Sequence, residues 1–233
     1  MLESLKYTGM NARLTPEVYE LYKEEISAFE ESWKQSLHYL ETCNFSFIGG
    51  IDDNHIPSPY CQYDYSHIIY DYRECREVKD SKSVPAGYKT MLDGGTVPCA
   101  LMSILDYLCI SSIPLEYVGK KLVENGYRTE DNGTLWIAFD KALEQLFGVR
   151  TWIQRSVFEL CESVTLERPV IALVPAAWLH DFPAMKTREC IIVWRLEEKK
   201  AVITTTSAHS AKKVDLYELL KNIKRAWACQ RIN

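Results

Sequence analysis

The chain has 233 residues, 47% of them hydrophobic and 12% aromatic, enough to bury a sizeable core and too many for a disordered chain. Lys plus Arg number 27 against 32 Asp plus Glu, a net charge of −5 with no concentrated basic footprint, which excludes nonspecific nucleic-acid binding as the main task. No run of about 18 apolar residues predicts a membrane span. The N-terminus is too polar for a secretory signal, so a cytoplasmic protein is expected.

The first element in the chain is a long helix. Thr15 is placed to cap it, Pro16 and Glu17 suit its first turn, and Val18, Leu21, Tyr22, Ile26, Phe29, Trp33, Leu37 and Leu40 recur at helical spacing. The helix is predicted to run to about Leu40 and to lie across another element, and it is the place through which an oligomer would form. Residues 44–82 are rich in tyrosine and broken by turn signals, with "SHIIYDY" as a short strand. The charged stretch "RECREVKDSKS" reads as a linker. The expected division is therefore an N-terminal extension, 1–82, and a main domain, 83–233.

Past Val84 the signals sharpen. "CALMSILDYLCI" and "PLEYVGKKLVENG" predict two helices, the second ending at Gly126. "GTLWIAFDKALEQLFG" predicts a third, capped by Thr134 and ended by Gly148. Strands follow at "VRTWIQ", "PVIALVP", "ECIIVWRLE" and "KAVITTTS", the last two joined as a hairpin through "EEKK". "VDLYELLKNIKRAW" predicts a closing helix whose "KNIKRAW" turns a wet face outward. Helices first and antiparallel strands after them predict an α+β fold.

The eight cysteines, at 43, 61, 75, 99, 109, 161, 190 and 229, include no C-x-x-C pair, and no histidine has a second one three to five residues away. That spacing predicts neither a zinc centre nor another cofactor, and most of these cysteines are expected to be small buried hydrophobes.

The stretch "VPAGYKTMLDGGTVPCALM", with the later "IPLEYVGKKLVENGYRTEDNGTLWIAFDKALEQLFGV" and the Pro169–Ile171 strand, resembles the papain-fold cysteine peptidases of family thirty-nine, the double-glycine leader peptidases and their bacterial relatives. The resemblance covers about residues 84–230. It implies a papain-like fold, a helical half followed by an antiparallel sheet, behind an N-terminal helical extension. It also assigns positions. The nucleophile falls on Thr96, the oxyanion glutamine near Tyr88 or Lys89, and the catalytic histidine close to Glu189, between Arg188 and Cys190. The residues that would orient the imidazole fall on Thr204, Thr205 and Thr206.

None of these is a family catalytic residue. A cysteine peptidase needs a thiolate beside an imidazolium and a donor for the oxyanion, whose loss alone costs about 10²–10³ in rate. The expectation is a catalytically inactive peptidase-like protein that binds a peptide or protein partner in the inherited cleft, around Tyr88, Lys89, Thr96, Arg188 and Glu189. Arg188 and Glu189 are candidates for an ion pair replacing the catalytic pair. The alternative is an active thiol hydrolase or acyltransferase using Cys99, one helical turn beyond Thr96, with His180 or His209 as base.

Overall fold

A computed structural model of the chain describes residues 16–42, 46–110, 113–130, 133–139, 142–181 and 187–232. In chain order the helices are α1 (Pro16–Thr42), α2 (Met91–Gly94), α3 (Thr96–Tyr107), α4 (Leu115–Glu124), α5 (Ala142–Phe147), α6 (Val157–Thr165), α7 (Ala176–Leu179) and α8 (Leu216–Asn222). The strands are β1 (Phe47–Gly50), β2 (Ile68–Tyr70), β3 (Cys75–Glu77), β4 (Arg128–Thr129), β5 (Gly133–Thr134), β6 (Val149–Ile153), β7 (Val170–Pro175), β8 (Arg188–Glu198), β9 (Lys200–Thr205), β10 (Lys212–Asp215) and β11 (Arg225–Arg231).

Seven of these strands make one sheet in the order β10-β9-β8-β7-β11-β6, with β1 added beside the far end of β8. Every ladder among the described residues is antiparallel. The fold is α+β. β8 is long enough to serve two neighbours along one edge: residues 188–193 pair with β7, and residues 195–198 pair with β1.

Strand alternation sorts the sheet into two apolar faces. Cys190, Ile192 and Trp194 of β8, Ile171 and Leu173 of β7, and Trp227 and Cys229 of β11 face α3 and α4. Ile191 and Val193, Ala172 and Val174, and Ala226 and Ala228 face α6, α8 and α1. Helices cover both faces, so "VIALV" and "CIIVW" read as unbroken apolar runs, as a doubly covered sheet requires.

The described part of the long helix is buried along its apolar stripe; Thr15 and the side chains of Val18, Leu21, Tyr22 and Ile26 lie outside the described residues. Phe29 and Trp33 are buried, and the Trp33 indole donates to the Leu220 carbonyl at 2.9 Å. Residues 46–82 also contribute to the main packing, β1 to the sheet and Ile51, Ile68, Tyr70 and Cys75 to the core around α3.

Two expected helices are corrected. The segment from Gly133 is not one helix: Gly133–Thr134 pair with β4, a 3-10 turn takes Trp136–Ala138, and among its described residues only Ala142–Phe147 is α-helical. The Thr134 hydroxyl bonds the Tyr70 hydroxyl at 2.8 Å instead of capping. The closing helix stops at Asn222, and "RAWACQR" is the strand between β6 and β7. Arg225, read as part of a wet face, is buried with its guanidinium over the Trp136 ring at 4.4 Å. A short apolar run fits either period, and here the open slot between two strands decided.

Candidate functional site

Met91 to Thr96 form a tight double turn that launches α3. Thr90 begins it, its amide and hydroxyl both donating to Asp93 Oδ2, at 2.7 and 3.0 Å. The Gly95 amide then returns to the Met91 carbonyl at 2.7 Å, and the Cys99 amide to the Gly95 carbonyl at 2.9 Å. Thr96 therefore stands as the first residue of α3, directly against the sheet.

Its hydroxyl is fully engaged there. Thr96 Oγ1 accepts the Cys190 amide at 2.8 Å and shares a hydrogen bond with Thr206 Oγ1 at 2.9 Å. The side chain thus ties the head of α3 to the start of β8 and the end of β9. Cys190, rather than Glu189, is the β8 residue on this face, and burial pushes its thiol up to about 12, partly offset by the Thr96 hydroxyl. No imidazole is among these hydrogen-bond partners, so the hydroxyl lacks the base a threonine nucleophile needs.

The three neighbouring threonines divide between separate tasks. Thr204 Oγ1 accepts the Trp194 indole at 2.8 Å, Thr205 Oγ1 lies 3.3 Å from Ser207 Oγ, and only Thr206 reaches Thr96. Thr96→Val is expected to cost about 1–3 kcal/mol, because a buried amide and a buried hydroxyl lose their partner. Thr96→Ser should cost less than half as much, and urea unfolding of the two variants measures the difference.

The alternative nucleophile is enclosed. Cys99 is fully buried, and burial, with added repulsion from Cys61, Cys190 and Asp64, holds its thiol far above the ordinary range. Its cover comes from the Tyr-rich segment. The Tyr60 amide donates to Ser103 Oγ at 3.4 Å and the Tyr60 hydroxyl to Asp106 Oδ2 at 2.8 Å. Ser103 and Asp106 lie four and seven positions beyond Cys99, on the same side of α3. Alkylation of the native protein followed by peptide mapping should therefore modify exposed Cys109 and spare Cys99, with Cys99 reacting only in denaturant.

Glu189 points to the opposite face of the sheet from Thr96, since β8 reverses side at each residue. Its Oε1 lies 2.5 Å from His180 Nε2, at the end of α7, and its Oε2 accepts the Ser207 hydroxyl at 3.0 Å. Serine, carboxylate and histidine are all present, but the hydroxyl faces the carboxylate and not the imidazole. The cluster orients His180; it does not activate Ser207. The expected Arg188–Glu189 pair does not form, because consecutive strand residues point apart. His209 is paired with Asp64, 3.4 Å away, and among the described residues no hydrogen bond joins His180 or His209 to Cys99.

Tyr88 and Lys89 belong to a separate hollow beside the α2 turn. Arg73 lies 3.8 Å over the Tyr88 ring, and its Nε donates to Asp71 Oδ1 at 2.6 Å. Asp71 Oδ2 accepts the Lys89 amide at 3.2 Å. Burial alone would raise the Asp71 carboxyl, but the Arg73 ion pair and the amide bonds hold it below the usual carboxylate range. Lys89, Arg73, Arg128, Gly87, Asp71 and Glu130 line a cavity of about 250 Å³.

Arg128 forms the inner wall. It is buried, donates from Nη2 to the Tyr70 carbonyl at 3.1 Å, and lies 4.6 Å over the Tyr70 ring. Its Nε has no hydrogen-bond partner among the described residues. A Cβ at Gly94 would sit 2.6 Å from Nη1, so glycine there admits the guanidinium beside the turn. Asp71 is already bonded to Arg73, which leaves Arg128 and Lys89 against exposed Glu130. That balance suits a carboxylate or phosphate. No sequence spacing marks Arg128 or Asp71; the β4–β5 pairing and the 71–73 turn bring them together.

No protein-family model matches the chain, and no curated protein matches it.

Proposed function

We propose that the chain is a papain-like, catalytically inactive relative of the family thirty-nine cysteine peptidases, and that it binds a peptide or protein partner instead of cleaving one. One observation carries this reading: the Thr96 hydroxyl, at the nucleophile position of the resemblance, is used as a bridge to Cys190 and Thr206 and has no base beside it. The α+β order of elements, with α3 packed against the sheet at its head, supports the fold assignment. The cavity around Lys89 and Arg128, reached from the same turn, is the place where an acidic group of a bound peptide would be held, with the free C-terminal carboxylate as the simplest candidate.

The test has two arms. Peptidyl chloromethyl ketone and fluorophosphonate probes at neutral pH should leave Thr96 and Cys99 unmodified, and mixed peptide substrates should show no turnover. A peptide array displaying free and amidated C-termini should be captured through the free ends. Lys89→Glu, at an exposed position, should then weaken capture by about tenfold or more, the worth of a charge-assisted bond. Covalent labelling at Thr96 or peptide turnover overturns the inactive assignment. Capture indifferent to both the free end and Lys89 overturns the binding assignment.

A further inference from the structure

The segment that covers Cys99 also brings metal-binding side chains together from distant parts of the chain. Cys61 Sγ, a carboxylate oxygen of Asp64 and an imidazole nitrogen of His209 all lie within 4.8 Å of one another. His209 Nδ1 is 3.4 Å from Asp64 Oδ2. We infer that Cys61, Asp64 and His209 bind a divalent transition-metal ion of the zinc class, with water completing the coordination, and that the ion clasps residues 60–65 to the loop after β9.

The backbone holds the three donors in place without the ion. The Asp64 amide donates to the Cys61 carbonyl at 3.0 Å, closing the 3-10 turn that carries two of the ligands. The Gln62 amide donates to the Thr206 carbonyl at 2.8 Å, binding that turn to the loop that carries the third. Little chain ordering is left for the metal to impose, which favours affinity.

The donor set selects the metal. One thiolate, one imidazole and one carboxylate suit zinc, cobalt or nickel, whereas calcium and magnesium call for oxygen ligands throughout. Bond lengths of about 2.0–2.3 Å would place neighbouring tetrahedral donors roughly 3.3–3.6 Å apart. The His209–Asp64 spacing of 3.4 Å already fits, and the separations to Cys61 must close by at most roughly 1.5 Å. Asp64 and His209 are exposed, with room for their side chains to shift together by that amount, while Cys61 is buried and forms the floor. On binding, the Cys61 thiol releases its proton to solvent and its lone pair forms the metal–sulfur bond. With only three protein ligands, the fourth position opens to solvent on the side of Asp64 and His209. An ordinary surface ion pair between His209 and Asp64 would explain two of the three groups, but it assigns no role to the Cys61 sulfur facing them.

Titration of the intact, reduced protein with Co²⁺ tests the site without reference to peptide binding. One equivalent should produce a thiolate-to-cobalt charge-transfer band together with tetrahedral visible bands, all displaced by Zn²⁺. His209→Ala and Asp64→Asn change exposed residues, and each should weaken binding by on the order of tenfold or more. Cys61→Ser should abolish the charge-transfer band, while Cys109→Ser should leave it unchanged. Absence of the band at stoichiometric cobalt overturns the proposal, as does a band that survives both His209→Ala and Cys61→Ser. If Cys61→Ser does not fold, the His209→Ala result decides alone.

Discussion

Trp194→Ala is expected to destabilise the protein by about 3–5 kcal/mol, against a total stability of about 5–15 kcal/mol for a domain of this kind. Trp194 is fully buried in the middle of β8 on the face toward α3, with the Tyr107 ring edge-on at 5.4 Å. Truncation removes a large apolar volume from a site closed by sheet and helix, which cannot collapse without moving one of them. It also leaves the Thr204 hydroxyl without the indole donor it now holds at 2.8 Å. Trp194→Phe keeps most of the apolar surface and loses that hydrogen bond, so a smaller cost of about 1–3 kcal/mol is expected. Urea unfolding followed by far-ultraviolet circular dichroism measures both. An alanine variant within about 1 kcal/mol of the parent would contradict this placement of β8 against α3.

The second large effect is expected at Gly50, where β1 meets β8. Gly50 has φ +118°, and a Cβ there would lie 2.5 Å from the Trp194 carbonyl oxygen and 2.8 Å from the Arg195 Cα. Both neighbours are backbone of a central strand and cannot swing aside. The strained conformation costs about 1–3 kcal/mol for a residue with a Cβ, and forced overpacking adds about 1–3 kcal/mol. Gly50→Ala should therefore lose on the order of 3 kcal/mol, mainly by peeling β1 from β8. The Ile51 amide, bonded to the Trp194 carbonyl at 3.0 Å, should lose its hydrogen-exchange protection first. Gly126→Ala is the control: φ is +75° there, but nothing lies within 4 Å of the added carbon, so only the strain should register.

Much of the fold is legible in local pattern. The apolar stripe of α1, the small-then-apolar run of α3, the amphipathic α4 and the apolar runs of β7 and β8 all carry their element type in their own residues. Where pattern misled, the element was short and its state depended on a neighbour. Gly133–Thr134 became a strand because Arg128–Thr129 lies opposite. "RAWAC" became one because β6 and β7 leave a slot between them. α6 carries no sequence expectation, and Val214–Asp215, expected to open the closing helix, instead end β10; both are short elements whose burial comes from the sheet they join.

The functional groups divide in a similar way. The sequence by itself determined that a threonine, not a cysteine, heads α3, that Cys99 stands one turn beyond it, and that no histidine lies in the strand where the resemblance would seek one. Tertiary structure alone decided what those residues do. Thr96 meets Cys190 and Thr206 across 94 and 110 positions, and its hydroxyl becomes a bridge only through the β8 register. A shift of one residue in that register would bring Glu189 to Thr96 and send Cys190 away. Cys99 is buried on the side of α3 where Tyr60, more than a helix length earlier in the chain, bonds Ser103, and the Gln62–Thr206 bond brings Cys61 and Asp64 beside His209. Periodicity and caps act over a few residues and are written in the local sequence. Sheet register and loop docking act across the whole chain, and they set which side chains meet.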